Sequence, residues 1–373
     1  MKGKYSLKAH NLALLALAAA LNFVGIMILR SASNMDAAIV SRQIIGSLVG
    51  YGMCLIISFI DYNRLLKYAN LIYLLVIVLL VAVAVWGAVH KGAGRWIVLP
   101  LIGQIQPAEF AKAGIIAFYG GYFGKYRERI NEPLTLLITM LLFAVPAVLI
   151  FIEPNLSTTI ILTVIFALMM VGAGLSWRWI MLFVVLMGLG VGLLYFLFST
   201  DNYQLIPFIQ AYQKNRILSF LYPEQYSDTF FQQGNSIMAI GSGGFFGKGL
   251  FNTDISSVKA GNFLIEEDTD FIFAIIGEEL GFRGCLAILI MFLLLIYCIL
   301  WIGARSKNIA GAVVCIGVAT WIGFQTFTNI AVATALFPNT GVTLPFFSRG
   351  ASSILALYIG IGLVLNIGLQ SKE

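Results

Sequence analysis

Apolar stretches of about 18 residues or more recur from Asn11 to Leu369, separated by short polar turns and one long polar segment. So many stretches of that length oblige a chain to lie in a bilayer, where each segment must satisfy its own backbone hydrogen bonds and the helix is the simplest solution. Composition agrees: 60% of residues are hydrophobic and 11% charged, with a mean hydropathy of +0.93. The expected fold is an all-α polytopic membrane protein, one membrane domain over residues 1–373, and soluble classes are set aside. The expected spans are Asn11 to Leu29, Gln43 to Ile60, Asn70 to Val89, Pro107 to Gly124, Pro133 to Ile152, Leu156 to Gly174, Trp179 to Phe198, Gly284 to Ile302, Ile309 to Phe337 and Ser352 to Leu369. That makes ten helices.

A net charge of +6 would point a soluble protein towards acidic partners, but here placement matters more than the sum. Lys2, Lys4 and Lys8 precede the first span; Arg64 and Lys67 follow the second; Lys125, Arg127 and Arg129 the fourth; Arg178 the sixth; Arg305 and Lys307 the eighth. By the positive-inside rule these loops and both termini are cytoplasmic, so the basic residues are topology signals and nucleic acid is not an expected partner. Cys54, Cys285, Cys298 and Cys315 lie in or beside apolar segments without metal-ligand spacing, which reads as four small buried hydrophobes. The first apolar segment is long enough to be a span, so it is not read as a cleaved leader.

Phe271 through Ile302 is apolar apart from Glu278, Glu279 and Arg283. As one helix it would run about 48 Å, well beyond a hydrocarbon core of ~30 Å. A break is therefore expected near Gly281 and Gly284, leaving a short surface helix from Asp270 to Leu280 ahead of the eighth span. Residues 199–283 thus form an extracytoplasmic loop between helices 7 and 8. Phe208, Ile217, Phe220 and Phe230 make it too aromatic for a disordered tether.

Four carboxylates, Glu266, Glu267, Asp268 and Asp270, crowd into five positions just before that apolar run. Carboxylates at a bilayer edge are functional candidates. Within the fourth span, Glu109 and Lys112 share a helical face, either as a structural ion pair or as the polar floor of a cavity. Lys91 to Trp96 reads as an interfacial loop with two cations. Asn155 fits a helix N-cap after Glu153 and Pro154. The glycine-rich run Gly241 to Gly249 fails the P-loop pattern, since Gly249 stands where Ser or Thr is needed; it is either a plain turn or a backbone cradle for phosphate with Lys248 as its charge. Two prolines and two glycines break the helical pattern between Pro338 and Ser353, which at membrane depth suits a cavity wall.

Gln106 to Lys112 (QPAEFAK), Ala239 to Gly249 (AIGSGGFFGKG), Asp268 to Phe282 (DTDFIFAIIGEELGF) and Pro338 to Ser353 (PNTGVTLPFFSRGASS) stand in an order that resembles the SEDS family (shape, elongation, division and sporulation), the RodA-, FtsW- and SpoVE-type proteins. The chain departs from the family pattern in having Glu153-Pro154-Asn155-Leu156-Ser157 where Gln-Pro-Asp-Leu-Gly is common, and Ser348-Arg349-Gly350-Ala351 where SYGG is usual. The resemblance implies a peptidoglycan glycosyltransferase in the bacterial cytoplasmic membrane. It would polymerise lipid II at the outer face beside a class B penicillin-binding protein. It also implies Asp270 as the catalytic residue, with Glu109, Lys112, Arg216, Lys248, Ser348 and Ser352 binding substrate or supporting the cavity.

Chemistry agrees with that assignment, because the acceptor 4-hydroxyl must lose a proton while the anomeric carbon loses undecaprenyl pyrophosphate. A single displacement inverts that carbon. The leaving group needs positive charge, from Lys112, Arg216 or Lys248 or from a divalent cation (Mg or Mn) held with help from the acidic cluster. Two other classes remain open from sequence: a flippase for lipid-linked precursors, and a noncatalytic scaffold for a penicillin-binding protein. A flippase would place charges along a path through both leaflets, whereas the carboxylates here concentrate on one side.

Overall fold

The computed structural model describes residues 8–90, 93–99, 103–200, 211–252, 254, 257–259, 261 and 263–371. The expectations for Lys2, Lys4, Lys91, Gly92 and Phe208 lie outside the described residues. The helices are α1 (Ala9–Ala32), α2 (Ala37–Phe59), α3 (Tyr62–Lys67), α4 (Ala69–Trp86), α5 (Pro107–Tyr126), α6 (Pro133–Ile152), α7 (Leu156–Ala173), α8 (Trp177–Ser199), α9 (Ala211–Leu221), α10 (Ser227–Ser242), α11 (Ile272–Ala304), α12 (Ile309–Ala333) and α13 (Ala351–Leu369). Among the described residues nine of these are long and apolar enough to cross a membrane. The tenth expected span, α5, has the length but carries Glu109, Lys112 and Lys125. The chain is a multi-pass all-α membrane protein.

Local chemistry sets many of the ends. Asp36, Asn155 and Asn308 each accept a backbone N–H at the start of α2, α7 and α12, and Pro107 and Pro133 stand in the first turns of α5 and α6. Two expected spans end early: the third at Trp86 and the ninth at Ala333. After Trp86 the chain forms a small antiparallel sheet, β1 (Ala88–His90), β2 (Ala93–Leu99) and β3 (Gly103–Ile105), in the order β1-β2-β3.

α12 and α13 form the buried centre, whereas Phe198 alone of the α8 residues is buried. At one end of the bundle Lys8 Nζ donates to Ser371 O (3.1 Å), and Tyr62 N donates to Asn366 Oδ1 (2.8 Å). The start of α1 and the end of α13 therefore meet on the same side, as an even number of crossings requires.

α11 breaks at Gly281 (φ 67°, ψ −168°). The glycine-rich turn after α10 docks against this break and completes its backbone hydrogen bonding. Lys248 N and Gly249 N donate to the carbonyls of Glu278 and Glu279 (both 2.9 Å), while Phe282 N and Arg283 N donate to Gly244 O (2.9 Å) and Phe245 O (3.3 Å). These are the carbonyls and amides that a helix end leaves without partners. Residues 282–304 then supply roughly 35 Å of helix, one membrane crossing. In the short segment before the break, Ile272 to Glu279 are buried inside the protein. α10 packs on it through Ile240 against Gly277, and Ser31 of α1 reaches Glu279.

Candidate active site

The segment leading into α11 forms a turn closed on Glu266, whose carbonyl accepts from Thr269 N (3.2 Å) and Phe271 N (3.1 Å). Three carbonyls of this turn are each held from outside it. Asp268 O accepts from Arg349 N (2.8 Å), Thr269 O from Ser348 Oγ (2.5 Å) and Asp270 O from Asn329 Nδ2 (2.8 Å). Ser348 Oγ also accepts from Leu344 N (2.7 Å), and Asn329 Nδ2 also donates to Val342 O (2.7 Å). α12 and the loop between α12 and α13 thereby fix the backbone that carries Asp270.

The Asp270 side chain points to Gly341, which has φ 71°; a Cβ there would lie 3.3 Å from Asp270 Oδ2 and 3.7 Å from an Arg216 guanidinium nitrogen. A half-buried carboxylate and a half-buried guanidinium thus converge over a residue without a side chain. Arg216, on α9, also lines a pocket with Arg95, Ser157, Gln213, Asn339 and Thr340. Arg95, on β2, donates from Nε to Glu153 O (3.2 Å) and from Nη2 to Pro154 O. Two arginines therefore face one cleft beside Asp270.

Glu153, between α6 and α7, is 2% exposed and neither carboxylate oxygen has a hydrogen-bond partner. Burial pushes its carboxyl up to about 8, with Arg95 opposing. Since its folded value lies above the ordinary 4.5, the folded state holds the proton and this contribution to stability is lost as pH rises towards about 8. Glu153→Gln is expected to flatten the fall of the thermal midpoint between about pH 4.5 and 8, and to raise stability above pH 8 by on the order of a few kcal/mol, read by thermal unfolding in detergent.

Glu109 and Lys112 form the ion pair that their spacing predicted, at 2.9 Å. Lys112 is fully buried, donates to Gln325 Oε1 (2.9 Å) and lies 4.8 Å from the Trp321 ring centroid. Gln325 in turn donates to Thr343 O (2.9 Å), so the pair supports the same loop that holds Asp270. Removing one partner strands a buried charge, at about 3–5 kcal/mol. Glu109→Gln is expected to lower the thermal midpoint sharply, and adding Lys112→Met to recover most of the loss.

Lys248 pairs with Glu278 (2.8 Å), and Lys259 pairs with Glu279, which also accepts from Ser31 Oγ (2.5 Å). Two amides of the glycine-rich run, Lys248 N and Gly249 N, are bound to the α11 carbonyls described above, so the turn braces the break in α11. Ser352 Oγ accepts from Gln106 N (3.1 Å), tying α13 to the start of α5. The acidic cluster diverges: Asp268 is paired with Arg349 (2.8 Å), Glu266 accepts from Thr269 Oγ1 (2.9 Å), and Glu267 is buried, its carboxyl pushed up to about 7 by burial and then by Asp268. Among the described residues no three acidic, cysteine or histidine side chains converge as metal ligands. The cluster does not fit a metal cage.

The structure brings together Asp270, Arg216 and, through hydrogen bonds, Ser348, while Glu109 and Lys112 form a brace on the other side of the 338–350 loop. Lys248 belongs to the α11 break. Sequence reading assigns no site role to Arg95, Gln325 or Asn329. The last two are polar residues at i and i+4 within a membrane span, a placement that itself signals a buried task.

The family model described as cell cycle protein, covering FtsW, RodA and SpoVE, matches residues 8–373. The chain is 32% identical over 349 residues to peptidoglycan glycosyltransferase MrdB of Escherichia coli (strain K12), covering 93% of this chain and 90% of that protein. It superposes on a chain of a peptidoglycan synthase complex that coordinates polymerization and crosslinking with a TM-score of 0.79 at 26% identity, covering 98% of this chain and 97% of the other. The rod shape determining protein RodA of Thermus thermophilus matches with a TM-score of 0.71 at 25% identity, over 100% and 99% of the two chains. With the matched model running from α1 through α13, the chain belongs to the FtsW, RodA and SpoVE family.

Proposed function

We infer that this chain is a peptidoglycan glycosyltransferase that polymerises lipid II into glycan strands, an inverting enzyme serving cell-wall synthesis in elongation, division or sporulation. The observation that carries the reading is the convergence of Asp270 and Arg216 over Gly341 beside a cleft lined by Arg95. Asp270 acts as general base. It takes the proton from the acceptor 4-hydroxyl as that oxygen attacks the anomeric carbon of the donor and the bond to undecaprenyl pyrophosphate breaks. Arg216 and Arg95 stabilise the charge that gathers on the departing pyrophosphate, a role suited to planar, permanently charged guanidinium groups. Inversion follows from a single displacement.

In this reading Asp270 and the cleft face the outer side of the cytoplasmic membrane, and both termini are cytoplasmic. The partner is a class B penicillin-binding protein that crosslinks the product. The reading is supported by the synthase complex whose chain this one resembles and by the charge bias of the loops. A flippase fits less well, because the described ion pairs in the membrane domain, such as Glu109 with Lys112, brace loops rather than line a path.

The test is purified protein, alone and with its cognate penicillin-binding protein, given labelled lipid II in detergent and followed by gel analysis of glycan chains. Chains of many disaccharides are expected, and a chelator arm shows whether Mg2+ or Mn2+ is needed. Scrambling of lipid II across liposomes without polymer would overturn the assignment in favour of transport.

A further inference from the structure

Asn329 lies on α12, fully buried, directly behind the turn that carries Asp270. Its Nδ2 bridges two carbonyls, Asp270 O at 2.8 Å and Val342 O at 2.7 Å. Val342 follows Gly341, the residue over which the Asp270 carboxylate and Arg216 meet. Asn329 Oδ1 is buried without a hydrogen-bond partner, so the side chain is held by its two donated bonds alone. A buried amide that leaves its own acceptor unsatisfied needs an explanation, and here it is the fixed distance between the Asp270 and Val342 main chains.

We propose that Asn329 is a positioning residue for the glycosyl transfer, one carboxamide that locks the Asp270 backbone to the backbone of Val342, next to Gly341, and so aims the base at the acceptor hydroxyl beside Arg216. This rests on the reading of Asp270 as the base. The bridge differs from the Ser348 and Arg349 bonds, which hold Thr269 and Asp268, because it acts on the residue that bears the reacting group. Displacing a reacting group by about 1 Å lowers the rate by about 100-fold even when binding is intact. Asn329 stands outside the lining of the pocket beside Arg216, so its loss acts on kcat and leaves donor binding in place.

The experiment uses the full chain assembled with its penicillin-binding protein. Asn329→Ala is expected to lower kcat for lipid II polymerisation about 100-fold while KM stays within about threefold. In a double-mutant cycle, Asp270→Glu is expected to lose much less in the Asn329→Ala background than in wild type, because the base is already misplaced; a merely structural role gives losses that multiply. A rise in KM with kcat unchanged, or losses that multiply, would overturn the proposal. Asn329→Ser, which keeps one donor, carries the same arms if the alanine variant does not assemble. Amide exchange of Thr269 and Phe271 separates this proposal from the assigned function: faster exchange in the variant supports the bridge even if wild type makes no polymer, and unchanged exchange overturns it.

Discussion

Asp270→Asn protein, assembled with its partner, is expected to give no detectable polymer from lipid II while purifying and melting as wild type does. Loss of a general base lowers the rate by about 10²–10⁴-fold, and the asparagine amide has no basic site to receive the acceptor proton. The fold should survive because the main-chain carbonyl of Asp270 held by Asn329 is untouched by the substitution. The side chain and the Arg216 guanidinium that faces it are both only half buried, so solvent screens the cation left by an isosteric neutral group and the stability cost is small. Gel analysis of glycan chains reads the outcome directly. Polymer at the wild-type rate from a well-folded complex carrying Asp270→Asn would remove Asp270 from the chemistry, whatever the rest of the cleft does.

Gly281→Ala is expected to abolish both a stable fold and activity. Gly281 adopts φ 67° and ψ −168°, a region essentially closed to residues with a Cβ, where strain amounts to about 1–3 kcal/mol. Space is closed as well: a Cβ would collide with Gly247 N and come within 2.8 Å of Phe245 O. Relief would require the glycine-rich turn to withdraw from the α11 break, releasing the four backbone bonds that join them and loosening the Lys248–Glu278 pair. The expected result is a protein that aggregates on extraction, measured as loss of the monodisperse peak in size-exclusion chromatography. Gly52→Ala, on α2, makes a fair comparison because a Cβ there would meet nothing within 4 Å.

Membrane-length hydrophobicity makes the helices legible, and the excess length of Phe271 through Ile302 makes the break legible before any coordinates. The small sheet after Trp86 is not, although Arg95 to Leu99 has the β-branched and aromatic content of a strand and a glycine at Gly103 beyond it. A helical hydrophobicity argument that runs to Val89 overlooks a segment that short. The Glu109–Lys112 pair follows from spacing alone, since i and i+3 share a face. Lys248 escapes such reasoning for the opposite cause: its partner Glu278 is 30 positions away, and only the docking of the turn on the break brings them together. Arg95 and Asn329 likewise depend on contacts across the fold. Linear spacing carries no information about such distant approaches, while the cost of burying polar groups in a span marks where to look.

The carbonyls of the turn that carries Asp270, the proposed base, are gripped by residues made later in the chain, Asn329 following Asp270 by 59 positions and Ser348 following Thr269 by 79. A ribosome that has released α11 has already delivered Asp270, yet the nascent enzyme has nothing to aim it with. If Asp270 is the base, competence then requires α12 and the loop beyond it, and chains ending before them would be mute rather than misdirected.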